Sequence, residues 1–443
     1  MKQSIKYILG VLLILNIGCK DVPSESKNQY SEIHDYFKIL SDNKDFSGVL
    51  LIGNDHNILD EYTFGFADFE KQIEHTTMSK FSIASNSKTF TAAAILLLRD
   101  QGKIQLDDTI SKYLPDFKYG DQITILNLLR YESGLADIDW ELHRYNVLDS
   151  KSLVSEIEKK PLLFKPGTSG RYGNAGFTIL ARIVEVVSDQ TYDEFLKENM
   201  LYPLGMMNTG DLSMHEFPEN FSNPSFPGPL PELVYPIRDV NYSTSLGSGS
   251  MYATVSDLWK WGNSIIRKYP INVFKESYPY GWGRDSIAGR FCLNQTGMNN
   301  GFVSSLFVFP DERVTMVLLS NIENGLWVDW TKDMAKIYFK DSTKIHYPKR
   351  RENVLRSLTN IEKYKGKFRL NDDRIIEIKA VDGNLYVHLN DYYIGHHLLP
   401  VSEDTFELRS FTGTLFFKDR DSIFWKLPKQ WGGGTQVYLR EKE

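Results

Sequence analysis

Cysteine is nearly absent from this 443-residue chain, which carries only two, at positions 19 and 292. Two thiols cannot build the disulfide framework that holds small secreted domains together, so stability has to come from packing. No apolar run reaches the roughly 20 residues that a membrane-spanning helix needs, which excludes a multi-span membrane protein. An excess of positive charge is lacking too. Lys and Arg number 51 against 57 Asp and Glu, a net charge of −6, so nothing draws the chain to nucleic acid. No two of the nine histidines stand at H-x-x-x-H spacing, and the adjacent His396 and His397 point to opposite faces of a strand, so no metal site is expected. Familiar glycine motifs fail as well. Gly167-Thr168-Ser169-Gly170-Arg171 ends in arginine where a nucleophile elbow needs glycine, and Gly247-Ser248-Gly249-Ser250-Met251-Tyr252 lacks the third glycine of a dinucleotide loop. No cofactor is implied.

What is present is an ordinary globular composition, 42% hydrophobic and 24% charged. The length exceeds the ~250–300 residues that a single core supports, which favours a large domain plus a smaller one. Met1 to Lys6 is a short basic head and Tyr7 to Ile17 an apolar run, together a secretory signal over residues 1–18. The run ends in Asn16-Ile17-Gly18-Cys19, which resembles a bacterial lipobox, although an aliphatic residue usually stands where Asn16 does. The alternative is a cleaved signal with an incidental cysteine. The resemblance implies lipid on Cys19 and an exported protein held in the cell envelope, at the periplasm or outer membrane, with cell-wall contact open to it. Residues 19–30 then form a flexible tether. Cys292, between Phe291 and Leu293 in a strand pattern, reads as a buried, inert thiol.

Strand patterns occur at both ends of the next 310 residues. Ser47 to Gly53 and Ile58 to Phe66 flank a turn, and Arg290 to Asn294, Phe302 to Phe309 and Val314 to Ser320 come late. Between them helical patterns dominate, above all residues 85–101, apolar on nearly every face and closed by Gly102. The expected fold class is mixed α/β (α+β): an antiparallel sheet built from the two extremities of residues 31–340, with a helical insertion. Met214 to Val240, with six prolines, reads as a long ordered loop. Residues 341–357 are charged and polar, a candidate linker, with a basic surface helix as the alternative. Residues 358–443 show short strands at regular spacing, a small all-β sandwich or barrel.

Three segments carry chemistry. Ser85 and Lys88 form an S-x-x-K pair at the start of the apolar helix, where i, i+3 spacing brings both side chains to one face. A serine hydroxyl needs a base, and a lysine serves only when neutral, a state that burial favours. Two further S-x-x-K copies, at Ser24 and Ser41, open no apolar helix, and the motif alone fits an N-capping serine beside a solvated lysine. Tyr172-Gly173-Asn174 is the only Y-x-N in the chain. Its phenol could relay a proton and its carboxamide could hold a substrate amide; a turn capped by Asn174 is the plainer alternative. Gln295-Thr296-Gly297-Met298 lies on a late strand, where Gly297 allows close approach and the Met298 N–H could complete an oxyanion hole with that of Ser85. A plain edge strand with a bulge fits equally.

In this order the three segments resemble the penicillin-recognising serine hydrolases: class C β-lactamases, D-alanyl-D-alanine carboxypeptidases and β-lactamase-like esterases. Leu106 to Pro115, Leu128 to Leu135, Pro203 to Met206 and Gly249 to Leu258 look like further landmarks of that family. The resemblance implies Ser85 as nucleophile, Lys88 as its general base, Tyr172 as proton relay to the leaving group, and Asn174, Gln295, Thr296, Gly297 and Met298 as substrate-binding residues. The family normally has Lys or His where Gln295 stands; a neutral amide contributes no charge for a substrate carboxylate. Tyr131 and Glu132 replace a usual His-Thr and read as structural. The expected activity is a cofactor-free, metal-free serine hydrolase forming an acyl-enzyme on a small acyl or peptide substrate, an ester, amide or lactam. The alternative is a non-catalytic envelope lipoprotein that keeps the fold as a binding or scaffold module.

Overall fold

The computed structural model of the protein describes residues 25–139, 143, 146–214, 217–228, 234–236, 240–268, 272, 280–341, 345–348, 360–371, 374–389, 395–411, 413–426 and 434–441. The signal segment, Cys19 and most of the 341–357 linker lie outside them. Helix α1 (Glu25–Asp42) begins inside the stretch read as a tether, because Ile33, Tyr36, Phe37 and Leu40 recur at helical spacing and are buried.

Strands β1 (Gly48–Asn54) and β2 (Ile58–Phe64) form the expected hairpin, whose turn is closed by Asn54 Oδ1 accepting from the N–H groups of His56 and Asn57. Short pairings follow: β3 (Phe66–Asp68) with β4 (Ile73–Glu74), β5 (Phe81–Ser82) and β6 (Gly210–Asp211) on either side of β9 (Met251–Ala253), and β7 (Ser225–Pro227) with β8 (Val234–Pro236). The β7–β8 pair corrects the reading of Met214 to Val240 as loop throughout. Three-residue strands survive there because Pro227 and Pro236 stand at strand ends, where a missing N–H costs little.

The main sheet is completed by β10 (Gly283–Ile287), β11 (Arg290–Asn299), β12 (Phe302–Phe309) and β13 (Val314–Ser320), in the order β10-β11-β12-β13-β1-β2, antiparallel throughout. Its two chain extremities meet where Leu50 opposes Leu318. Both faces are covered, so alternation shows as two cores rather than as one wet face. Leu50, Ile52, Met316 and Leu318 pack against α1 and α8 (Trp327–Tyr338). Val49, Leu51, Val317 and Leu319 face the helical insertion: α2 (Ser87–Asp100), α3 (Ile125–Leu129), α4 (Ser150–Glu158), α5 (Ala175–Ser188), α6 (Tyr192–Leu196) and α7 (Val255–Arg267). The expected α+β architecture is thus the observed one. Trp261 on α7 stacks on Phe90 of α2 at 4.3 Å, in core packing rather than in a cleft.

The C-terminal strands close into an eight-stranded barrel, which resolves the sandwich-or-barrel alternative: β14 (Gly366–Asn371), β15 (Arg374–Val381), β16 (Asn384–Leu389), β17 (His396–Ser402), β18 (Thr405–Leu408), β19 (Thr414–Phe417), β20 (Ser422–Lys426) and β21 (Thr435–Arg440). Each strand pairs with the next, and Phe368 opposite Arg440 joins the last to the first. The interior is filled by Phe368, Ile376, Leu385, Val387, Phe406 and Trp425. Arg409, wholly buried, reaches from the barrel into the N-terminal part: it pairs with Asp45 at 3.1 Å and donates to the carbonyls of Asn43, Lys44 and Gly228.

Candidate active site

Ser85 does not open α2 itself. It sits in a 3-10 turn, Ala84–Asn86, that feeds into the helix, and Ala84 before it holds a left-handed φ of 45°, a strained state for a residue with a Cβ. The turn is tied down around the nucleophile. Asn86 donates to Ser304 Oγ, which donates to the Ile83 carbonyl, while the Ser87 hydroxyl donates to the Ala84 carbonyl.

Lys88 lies one turn on, with no exposed surface. Its Nζ is 3.1 Å from Ser85 Oγ, 2.8 Å from Asn174 Oδ1 and 2.8 Å from the Ser248 carbonyl oxygen. Two of these partners can only accept. A neutral amine has two N–H groups and one lone pair, so the carboxamide and carbonyl oxygens take both hydrogens and the lone pair is left facing the Ser85 hydroxyl. Burial brings the Lys88 pKa from 10.5 down to about 7, against an opposing pull from Asp137, so a neutral fraction exists near neutral pH. The rings of Tyr172 and Phe177 stand 4.9 and 5.8 Å from Nζ, completing an apolar enclosure.

Tyr172 is 57% exposed as a whole residue, yet desolvation raises its pKa. A hydrogen bond with Ser85 works in the opposite direction and Asp137 adds to the rise. Its ring packs at 5.0 Å from Tyr131, which sequence reasoning had set aside as structural and which here, at φ 60°, backs the phenol.

Strand β11 crosses in front of Ser85. Gln295 Nε2 donates to the Ser85 carbonyl at 3.0 Å, so its amide supports the nucleophile's own backbone. A Cβ on Gly297 would lie 2.8 Å from the Ser85 nitrogen and 2.4 Å from the Ile83 carbonyl oxygen, so only glycine lets the strand come this close. Asn299 accepts from Ser82 and donates to the Gly249 carbonyl, fixing the far end of the same strand. Thr296 and Met298 project to the opposite side of β11 from Gln295 and Gly297, and Met298 is 47% exposed. Among the described residues β10 pairs only with Arg290–Asn294, so the main chain of residues 295–299 is an open edge beside the nucleophile.

The structure therefore brings Ser85, Lys88, Tyr172, Asn174, Gln295 and Gly297 to one place, and leaves the side chains of Thr296 and Met298 on the other side of β11. Sequence reasoning missed Asp137, whose Oδ1 accepts from the N–H groups of Asn174 and Ala175, and the Ser248 carbonyl on Lys88. Neither carries a local signal: a main-chain acceptor has no residue type, and Asp137 lies 37 positions from Asn174. Among the described residues no group of three His, Cys, Asp or Glu side chains is placed to hold a metal ion. Cys292 is buried on β11, and burial pushes its thiol well up.

Known proteins are similar to this chain in sequence and in fold. The Beta-lactamase family model matches residues 35–336, well over half of the chain. A penicillin-binding protein of Bacillus subtilis (strain 168) is 25% identical over 423 residues, covering 87% of this chain and 92% of its own length. Among solved structures, the octameric penicillin-binding protein homologue from Pyrococcus abyssi superposes with a TM-score of 0.61 at 18% identity, covering 94% of this chain and 100% of that one. The D-amino acid amidase of Ochrobactrum anthropi SV3 complexed with L-phenylalanine amide gives 0.61 at 19%, covering 70% and 98%. At those identities the two structures speak for the fold.

Proposed function

The chain belongs to the beta-lactamase family, and from that premise we propose that it is a serine hydrolase working through an acyl-enzyme on Ser85. The observation that carries the reading is the three-way partnership of the Lys88 amine, which leaves its lone pair to the Ser85 hydroxyl. Neutral Lys88 takes the hydroxyl proton as Oγ attacks the substrate carbonyl. The N–H groups of Ser85 and Met298 receive the oxyanion, and Tyr172 passes a proton to the departing group. Water then attacks the acyl-enzyme along the same proton path and releases Ser85.

The substrate class is an amide, ester or lactam. The penicillin-binding and D-amino acid amidase names of the relatives favour an amide carbonyl within that class. Gln295 brings no charge and its Nε2 is committed to Ser85, so a substrate carboxylate gains no ion pair there. This favours esterase or D-amino-acid peptidase action over efficient β-lactam destruction. The open edge of residues 295–299 offers main-chain hydrogen bonds to an extended acyl group or peptide. Export and a lipid anchor on Cys19 in the cell envelope belong to the same proposal, on the strength of the sequence alone.

Labelling with a fluorophosphonate probe tests the reading. The adduct is expected on Ser85 by mass spectrometry, and both labelling and turnover of p-nitrophenyl esters are expected to vanish in Ser85→Ala. Labelling that persists in that variant sinks the assignment.

A further inference from the structure

Helix α5 begins at a residue that does not cap it in the usual way. Asn174 occupies the N-cap position, where asparagine is among the favoured residues because its side-chain oxygen accepts from the exposed N–H groups of the first turn. Here that oxygen makes no cap bond. It is spent on Lys88 Nζ at 2.8 Å instead. The start of the helix is held instead by Asp137, whose Oδ1 accepts from the Asn174 N–H at 2.6 Å and the Ala175 N–H at 2.7 Å, while the Phe177 N–H goes to the Asn174 carbonyl. Asp137 comes from a different loop, and that loop is held independently. The Gly134 carbonyl accepts from Leu163 N–H, the Tyr131 carbonyl from Arg171 N–H, and the Asp137 carbonyl from Lys160 Nζ. The fit leaves no slack, since a Cβ on Gly173 would stand 3.2 Å from Asp137 Oδ1.

We propose that Asp137 is a positioning residue for the reaction: by holding the N–H groups of Asn174 and Ala175 it fixes the start of α5 with the Asn174 carboxamide on Lys88, which keeps the amine's lone pair on Ser85 and sets Tyr172 beside it. This rests on the serine hydrolase reading and extends it. The carboxylate also acts through space, raising the pKa of Lys88 and of Tyr172. The other groups around the amine are Ser85 on its own turn, Tyr172 and Asn174 before α5, Phe177 on α5, the Ser248 carbonyl and, on β11, the neutral Gln295; Tyr131 stands behind Tyr172, and Lys160 is the cation nearest the Asp137 loop. The hydrogen bonds and the charge are separable by substitution. Alanine removes both, whereas asparagine keeps an acceptor oxygen and removes only the charge.

Kinetics of a p-nitrophenyl ester across pH, for wild type, Asp137→Ala, Asp137→Asn and Ser85→Ala, test the proposal. Asp137→Ala is expected to lower kcat roughly ten- to a hundredfold with little change in KM, as displacement of a positioned group does. Asp137→Asn is expected to restore most of kcat while the acid limb of kcat/KM moves to lower pH, since the charge that holds the Lys88 pKa up is gone. Hydrogen exchange at the Asn174 and Ala175 amides reads those hydrogen bonds without turnover, and protection is expected to fall in Asp137→Ala alone. Superimposable pH profiles, or losses in both variants that track Tm with no movement of the limb, overturn the proposal. An inert wild type overturns the hydrolase reading instead, and amide exchange still decides the role of Asp137; if Asp137→Ala does not fold, the pH limb of Asp137→Asn decides it.

Discussion

Unfolded, the Lys88 amine titrates near 10.5; in the folded chain burial brings it to about 7. Between those values the unfolded chain binds a proton that the folded chain does not. The contribution of this residue to stability therefore falls as pH drops from 10.5 to 7 and stays low below that. Three to four pH units at about 1.4 kcal/mol each make the penalty of the order of 5 kcal/mol. Lys88→Met removes it, at the cost of leaving the Asn174 and Ser248 oxygens without their donor, about 1–3 kcal/mol each. We expect this variant to lack hydrolase activity and to gain in Tm relative to wild type as pH is lowered from 10 to 6. Thermal scans across that range check it, and a Tm difference independent of pH would show that Lys88 does not titrate as described. That Ser85 and Lys88 stand side by side was legible in the sequence, because i, i+3 spacing brings both to one face. The partner of Gln295 was not: a carboxamide donates to whatever backbone the fold brings near, and here that is Ser85 itself.

At the scale of elements, the site depends on how closely β11 passes the turn before α2. Adding one methyl at position 297 sets a carbon 2.4 Å from the Ile83 carbonyl oxygen and 2.7 Å from Ser304 Oγ, and the strand has to retreat. Gly297→Ala is expected to fold, since the contact sits at a sheet margin, but to lower kcat a hundredfold or more as the N–H groups of Ser85 and Met298, the proposed oxyanion donors, separate. Steady-state kinetics with a small ester check this, and an unchanged kcat would mean that the strand does not set the oxyanion geometry. Sequence patterns found the helices and most strands of the main sheet, because burial at period 3.6 or 2 is local. They could not choose between sandwich and barrel for the C-terminal strands. That choice rests on whether β14 meets β21, a contact between residues some seventy positions apart. Only the first six residues of α1, Glu25 to Tyr30, were read as tether, because all but the last are polar and no apolar spacing starts before them.

Across the whole molecule, Arg409 is the point where barrel and hydrolase part are joined by charge. Guanidinium and Asp45 carboxylate are both buried, and three backbone carbonyls complete the donor pattern of the arginine. Removing one member of such a pair leaves the other charge without compensation, a loss of about 3–5 kcal/mol. Arg409→Ala is expected to lose stability on that scale in urea denaturation, and Arg409→Met combined with Asp45→Leu to recover much of it. A single variant as stable as wild type would mean that the barrel docks without this contact.

The sheet that joins Leu50 to Leu318 also dictates an order of events in time. A chain made from its N-terminus presents β1 and β2 early, yet the strand that completes their pairing emerges nearly 270 residues later, after the whole helical insertion. Loop closure of that span is slow, and the partnerless hairpin is exposed while it waits. The hydrolase part thus folds as a unit only once β13 has been delivered, whereas the barrel, whose strands pair with their neighbours in sequence except where β14 meets β21, can build up strand by strand and close when β21 appears.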